Sequence, residues 1–330
     1  MMAPGEARLT RHKQSPLYTI MKNLIGIIFI VSFLSCSEQK EKDYFIETSD
    51  ITNFWTAYDS IKKVTEKTEV FKNLYQDKAS KPFTKMLGLS GDLGNPDNYL
   101  ESFGKYPKFW ESLRKPTLEL RNISKEIESC YKKVEKVYPK FKPGNVCVFV
   151  GPFAIQASVP EPKDIIFMGA EMNVPLKAVD LSEFDEDISF VYLNNIKSTI
   201  IHETIHLQQK SDVTDVLSAC IREGSADFLA ELFLGVPFKS PAYDYGWENE
   251  KELWTEFSKE LHSTDWSKWL YGSSGTEERP IDLGYFMGYV ITKSFYEKMN
   301  NKDLAVKEII EVADFDQFLE KSGYSEKFKK

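Results

Sequence analysis

Residues 200–209 read IIHETIHLQQ, with His202 and His206 four apart and Glu203 directly after the first. On a helix, positions i and i+4 share one face a turn apart, so the two imidazoles can converge on one tetrahedral cation. Glu203 falls about 100° round the helix axis from His202, beside such a cation rather than on it. That is where a zinc-bound water would meet a general base. Ile200, Ile201, Ile205 and Leu207 make the helix apolar nearly all round, which predicts burial. Two histidines and a glutamate in a buried helix are costly unless something binds them. Histidine is also scarce here: the chain has four, His12, His202, His206 and His262. The stretch therefore predicts a zinc site, with a plain pair of core histidines as the alternative.

Zinc needs a third protein ligand and, in a catalytic site, keeps its fourth position for water. IREGSADFLAEL (221–232) supplies Glu223, seventeen residues after His206 and on the next predicted helix. Asp227, one turn further on, is placed to accept the outer N–H of a ligand histidine and so fix its tautomer. Gly224, Ser225 and Ala226 are expected to let the two helices approach closely. Asp212 is a rival ligand, but it requires a turn where Gln209, a helix former, stands. Asp215 and Glu231 are weaker rivals. A peptidase would also need a donor for its oxyanion. Tyr285 and Tyr289, four apart in RPIDLGYFMGYVITKSFYEK (279–298), are candidates, with a purely core role as the alternative. Arg279 and His262 are further candidates. Gly284 and Gly288 make a small-residue seam suited to close helix packing, and the Trp-rich stretch 265–280 is expected to wall the cleft.

The first 36 residues are not expected to belong to the fold. MKNLIGIIFIVSFLSC (21–36) has a lysine, an apolar run too short to span a bilayer, then small residues and a cysteine. It resembles a lipoprotein signal, implying cleavage before Cys36 and lipid on its thiol. A plain secretory signal is the alternative. Residues 1–20 read as an upstream extension and 37–46 as a polar tether, leaving 47–330 as one domain held to the envelope membrane through Cys36, on the periplasmic or the cell-surface side. Removing 1–36 takes four basic residues and one acid, moving the net charge from −8 to −11. With no basic patch, nucleic acid is not an expected partner. Of the remaining cysteines, Cys130 and Cys147 form the most plausible bridge, against a set of buried thiols that includes Cys220.

Apolar spacing predicts helices across 48–140, with Asp50 as an N-cap and Pro116 in a first turn. The period then changes: NVCVFVG (145–151), AIQASV (154–159) and DIIFMG (164–169) read as three short strands. Helices return at about 188–210 and 212–234, the latter stopping at Gly235-Val236-Pro237, and near 248–262, 281–299, 302–311 and 314–322. The expected class is α+β, mainly helical, with one small sheet ahead of the HETIH helix. AIQASV is the strand expected to pair with an extended peptide.

The Glu-x-x-x-Asp that follows His-Glu-x-x-His resembles the gluzincin arrangement of thermolysin-like peptidases, and by that resemblance Asp227 would contact His202. More widely, FWTAYDSI (54–61), HETIHLQQ (202–209), EGSADFLAEL (223–232) and RPIDLGYFMGY (279–289) resemble a group of predicted zinc-dependent proteases among bacterial lipoproteins, related to gliding-motility lipoproteins. The resemblance implies a zincin-like fold, Zn2+ on His202, His206 and Glu223, and hydrolysis of a peptide or protein substrate with Glu203 as base. Ala154–Ser158 departs from the Gly-Gly-Thr-like stretch of such proteins. Two non-enzymatic readings stand beside it: a surface lipoprotein with a structural zinc or a partner in the cleft, and a gliding or secretion accessory protein with a vestigial site.

Overall fold

The computed structural model describes residues 43–184, 195–271 and 279–329, of which 44–329 lie in a single compact unit. Cys36, the signal segment and most of the tether fall outside the described residues. The class is α+β, mostly helical with one four-stranded sheet.

Strand β1 (Ile46–Glu47) opens the unit and is followed by α1 (Ser49–Ile61), α2 (Lys67–Phe71, running on through a wide turn to Gln76), α3 (Lys81–Leu89), α4 (Pro96–Lys105), α5 (Pro107–Glu119) and α6 (Ser124–Val137). Their shared interior is aromatic. Phe54 lies 5.3 Å from Tyr75 and 5.6 Å from Trp110, centroid to centroid. The indoles of Trp55 and Trp110 donate to Thr117 and Ser102, both at 3.0 Å, so their burial leaves no polar atom unpaired. Two local expectations are corrected here. Asp50 is not a cap: α1 starts at Ser49, and the buried Asp50 carboxylate accepts from the Ser80 backbone and hydroxyl instead. Pro116 sits inside α5, where burial of Leu113, Pro116 and Thr117 on one face offsets the lost backbone bond; Pro107 takes the first-turn position.

The sheet runs β1-β2-β4-β3, with β2 Asn145–Phe149, β3 Ala157–Ser158 and β4 Ile165–Gly169. β1, β2 and β4 are parallel; β3 lies antiparallel on the edge, Ala157 opposite Met168. β4 is buried throughout and β2 nearly so, which is why they read as unbroken apolar runs rather than alternating ones.

Beyond the sheet come α7 (Ile196–His206), α8 (Val216–Leu234), α9 (Pro241–Glu248), α10 (Glu250–Phe257), α11 (Leu283–Lys298), α12 (Lys302–Ile310) and α13 (Phe315–Ser322). α7 packs on β4 and α6, where the Tyr131 hydroxyl bonds Gly144 O and Thr204 Oγ1, each at 3.1 Å. α8 begins with an Asp215–Ser218 capping box and ends at the left-handed Gly235. α8 and α11 touch backbone to backbone: a Cβ on Gly288 would lie 1.7 Å from Cys220 O, and one on Gly224 2.1 Å from Tyr289 N. Gly224 therefore serves the α8–α11 contact, not the α7–α8 contact expected of it. Cys130, Cys147 and Cys220 are buried free thiols, so the Cys130–Cys147 bridge is absent. Among the described residues no helix is long and apolar enough to cross a membrane.

Candidate metal site

α7 and α8 bring His202, His206 and Glu223 together. His202 Nε2 lies 2.8 Å from His206 Nε2, and Glu223 Oε2 lies 3.3 and 3.2 Å from those two atoms. All the donor atoms fall within 4.8 Å of one another. Ligands on a tetrahedral zinc at about 2.0–2.1 Å stand roughly 3.3 Å apart, so the set fits such an ion with little adjustment.

Each member is held from behind. His202 Nδ1 lies 2.6 Å from Asp227 Oδ1, and Asp227 Oδ2 accepts from the Tyr243 hydroxyl at 2.6 Å. Glu223 Oε1 accepts from the Tyr271 hydroxyl at 2.8 Å, leaving Oε2 to face the rings. His206 Nδ1 lies 2.6 Å from Gln209 Oε1. Burial disfavours a charged His202, but the Asp227 and Glu223 carboxylates override it and hold the ring well above its usual range. Burial likewise pushes Glu223 up, while His206 and His202 pull it well below the usual carboxylate range. Both directions report a place where positive charge is favoured.

A cavity of about 270 Å³ opens beside the cluster, lined by His202 and Glu203 on α7, Gln156 and Ala157 at the sheet edge, and Tyr243 and Tyr285 opposite. The Tyr285 ring stacks 6.1 Å from that of His202. Tyr289 is elsewhere: it is buried, and its hydroxyl donates to Glu231 at 3.0 Å. Asp212 is exposed, Asp215 caps α8 and pairs with His262, and Arg279 pairs with Glu256. None of these joins the cluster. Of the Trp-rich stretch, 272–278 lies outside the described residues, while Tyr271 reaches Glu223. Tyr271 and Tyr243 were not singled out from sequence, and nothing in their spacing marks them, since each meets the site through a separate turn of the chain. Gln209, read from sequence only as a helix former, stands just past the helix end and meets His206 three residues back.

The chain matches the model of the family described as gliding motility protein GldB over residues 36–326. A match over most of the chain places it among gliding-motility lipoproteins, and the chain belongs to the GldB family. No curated protein and no solved structure matches it. The family membership corrects the expectation of a zinc metallopeptidase, which assigned Glu203 as base and Tyr285 or Tyr289 as oxyanion donor: the family is defined by gliding motility, not by hydrolysis.

Proposed function

We propose that this protein is a non-enzymatic accessory lipoprotein of the gliding apparatus, anchored in the cell envelope through Cys36, and that His202, His206 and Glu223 hold a structural zinc ion. The observation that carries the reading is the family match, which begins at Cys36 and covers nearly all that follows. The donor chemistry supports the metal: two imidazoles and a carboxylate face one another at 2.8–3.3 Å inside the fold. A bound zinc ion would neutralise the Glu223 carboxylate and cross-link α7 to α8. The chain's own residues do the rest. Asp227 and Tyr271 orient two of the donors, and α8 carries that order to α11 through the Gly224 and Gly288 contacts. The cleft beside the ion then presents a fixed surface to a protein partner.

The test is complementation of a gliding-deficient strain lacking this chain. Wild type and Glu203→Gln should restore gliding equally, while Cys36→Ser and the double variant His202→Ala/His206→Ala should not. Loss of gliding in Glu203→Gln, at normal protein level and zinc content, would refute the non-enzymatic reading.

A further inference from the structure

Just past the end of α7, Gln209 stands half-buried between the two helices of the metal site. Its amide nitrogen donates to Arg222 O at 3.1 Å and to Ser225 Oγ at 2.9 Å. Both partners lie on α8, and the carbonyl oxygen can serve only as an acceptor. The amide is therefore oriented by its neighbours, with Oε1 turned to His206 Nδ1 at 2.6 Å. An acceptor at that distance requires the proton on Nδ1. The Nε2 lone pair is then left facing His202 Nε2 and Glu223 Oε2.

We propose that Gln209 is a positioning residue that locks His206 in its Nδ1–H tautomer and so makes Nε2 a metal ligand. Asp227 does this for His202 with a charge; Gln209 does it for His206 with a neutral amide held by α8. The histidine on α7 is thus set by the helix that also supplies Glu223, so the site is assembled only when both helices are docked. The tautomer stands without any metal; its use as a ligand rests on the proposed zinc reading.

The experiment is a long-range 1H–15N correlation spectrum of the metal-free full chain, at a pH where the rings are neutral, beside zinc titration against a chromophoric chelator. In wild type His206 should show the Nδ1–H pattern. Gln209→Leu should lose that pattern and bind Zn2+ about 10–100-fold more weakly, the usual cost of removing such a partner. Gln209→Glu keeps the acceptor but loses both amide donors, and should keep the tautomer and most of the affinity. A packing role alone would make the two variants equally weak, which would overturn the proposal. So would an Nε2–H pattern in wild type, which decides the matter even where Gln209→Leu does not fold. The expected tautomers with no zinc bound by wild type would leave Gln209 in its role and defeat the metal reading instead.

Discussion

His202 Nε2 and His206 Nε2 face each other across 2.8 Å, each ring turning its other nitrogen to an oxygen acceptor. Two ring nitrogens and a carboxylate oxygen point at one place, and the carboxylates there hold His202 well above its usual range. The place favours positive charge, which a bound cation would supply. Zinc should therefore stabilise the fold strongly. At free zinc about 1,000 times its dissociation constant the gain is about 4 kcal/mol. For a domain of this size that corresponds to a rise in Tm of about 7 °C. Thermal melts with zinc and with a chelator should differ by that amount in wild type and scarcely at all in Glu223→Ala. Equal melts in wild type would remove the metal from this site.

The α8–α11 contact sets a second, independent expectation. Gly288→Ala and Gly224→Ala place a Cβ 1.7 and 2.1 Å from backbone atoms, so the helices must separate. Overpacking of this kind, against backbone rather than a movable side chain, should cost about 3 kcal/mol or more. Gly88 and Gly104 lie in α3 and α4 with nothing within 4 Å of a Cβ. Alanine at either should stabilise by about 0.5–1 kcal/mol. Urea unfolding of the four variants checks both halves, and similar midpoints for all four would show the α8–α11 approach to be looser than described.

What could be read from the sequence was local. The HETIH face and the Glu223 spacing are carried by helical periodicity, and β2 and β4 by apolar runs that need no partner to be recognised. Ile46 and Glu47 escaped because a two-residue strand has no pattern of its own; it exists by pairing with Val146 and Cys147, far along the chain. Pro116 misled because buried neighbours can hold a proline inside a helix. Tyr243 and Tyr271 reach Asp227 and Glu223 from segments whose path is set by tertiary packing, so no spacing reveals them. The step from site to activity failed for a different reason. A His-His-Glu set can hold a metal, and the same donors serve an enzyme and a cross-link alike, so the spacing does not distinguish them.

Glu171 gives a pH dependence of known sign. It is fully buried, and although Gly151 N donates to Oε2 at 2.7 Å, Oε1 has no partner. Burial outweighs its backbone hydrogen bonds and pushes its pKa up to about 7, against 4.5 for the free group. Between those values the folded protein holds a proton that the unfolded chain has lost, so stability must fall as pH rises through that window. The loss is about 3 kcal/mol by pH 8. Glu171→Gln removes the titration. Its unfolding free energy should lose this downward step, so wild type should weaken relative to it from pH 4.5 to 8. Parallel curves for the two proteins would show that Glu171 is not the source.

The last expectation separates the two groups that share Asp227. Its Oδ1 meets His202 and its Oδ2 meets Tyr243, each at 2.6 Å. Asp227→Asn can turn its NH2 toward the ring, which then carries its proton on Nε2 and cannot ligate; zinc affinity should fall about 10–100-fold. Tyr243→Phe leaves Oδ1 in place, so the tautomer survives. The carboxylate loses one charge-assisted partner, and the fold should lose about 1.5–3 kcal/mol with zinc affinity changed little. Chelator competition and thermal melts on the same two variants read both quantities. Should Tyr243→Phe lose as much zinc affinity as Asp227→Asn, Asp227 would be acting through its overall placement rather than through the proton it fixes on His202.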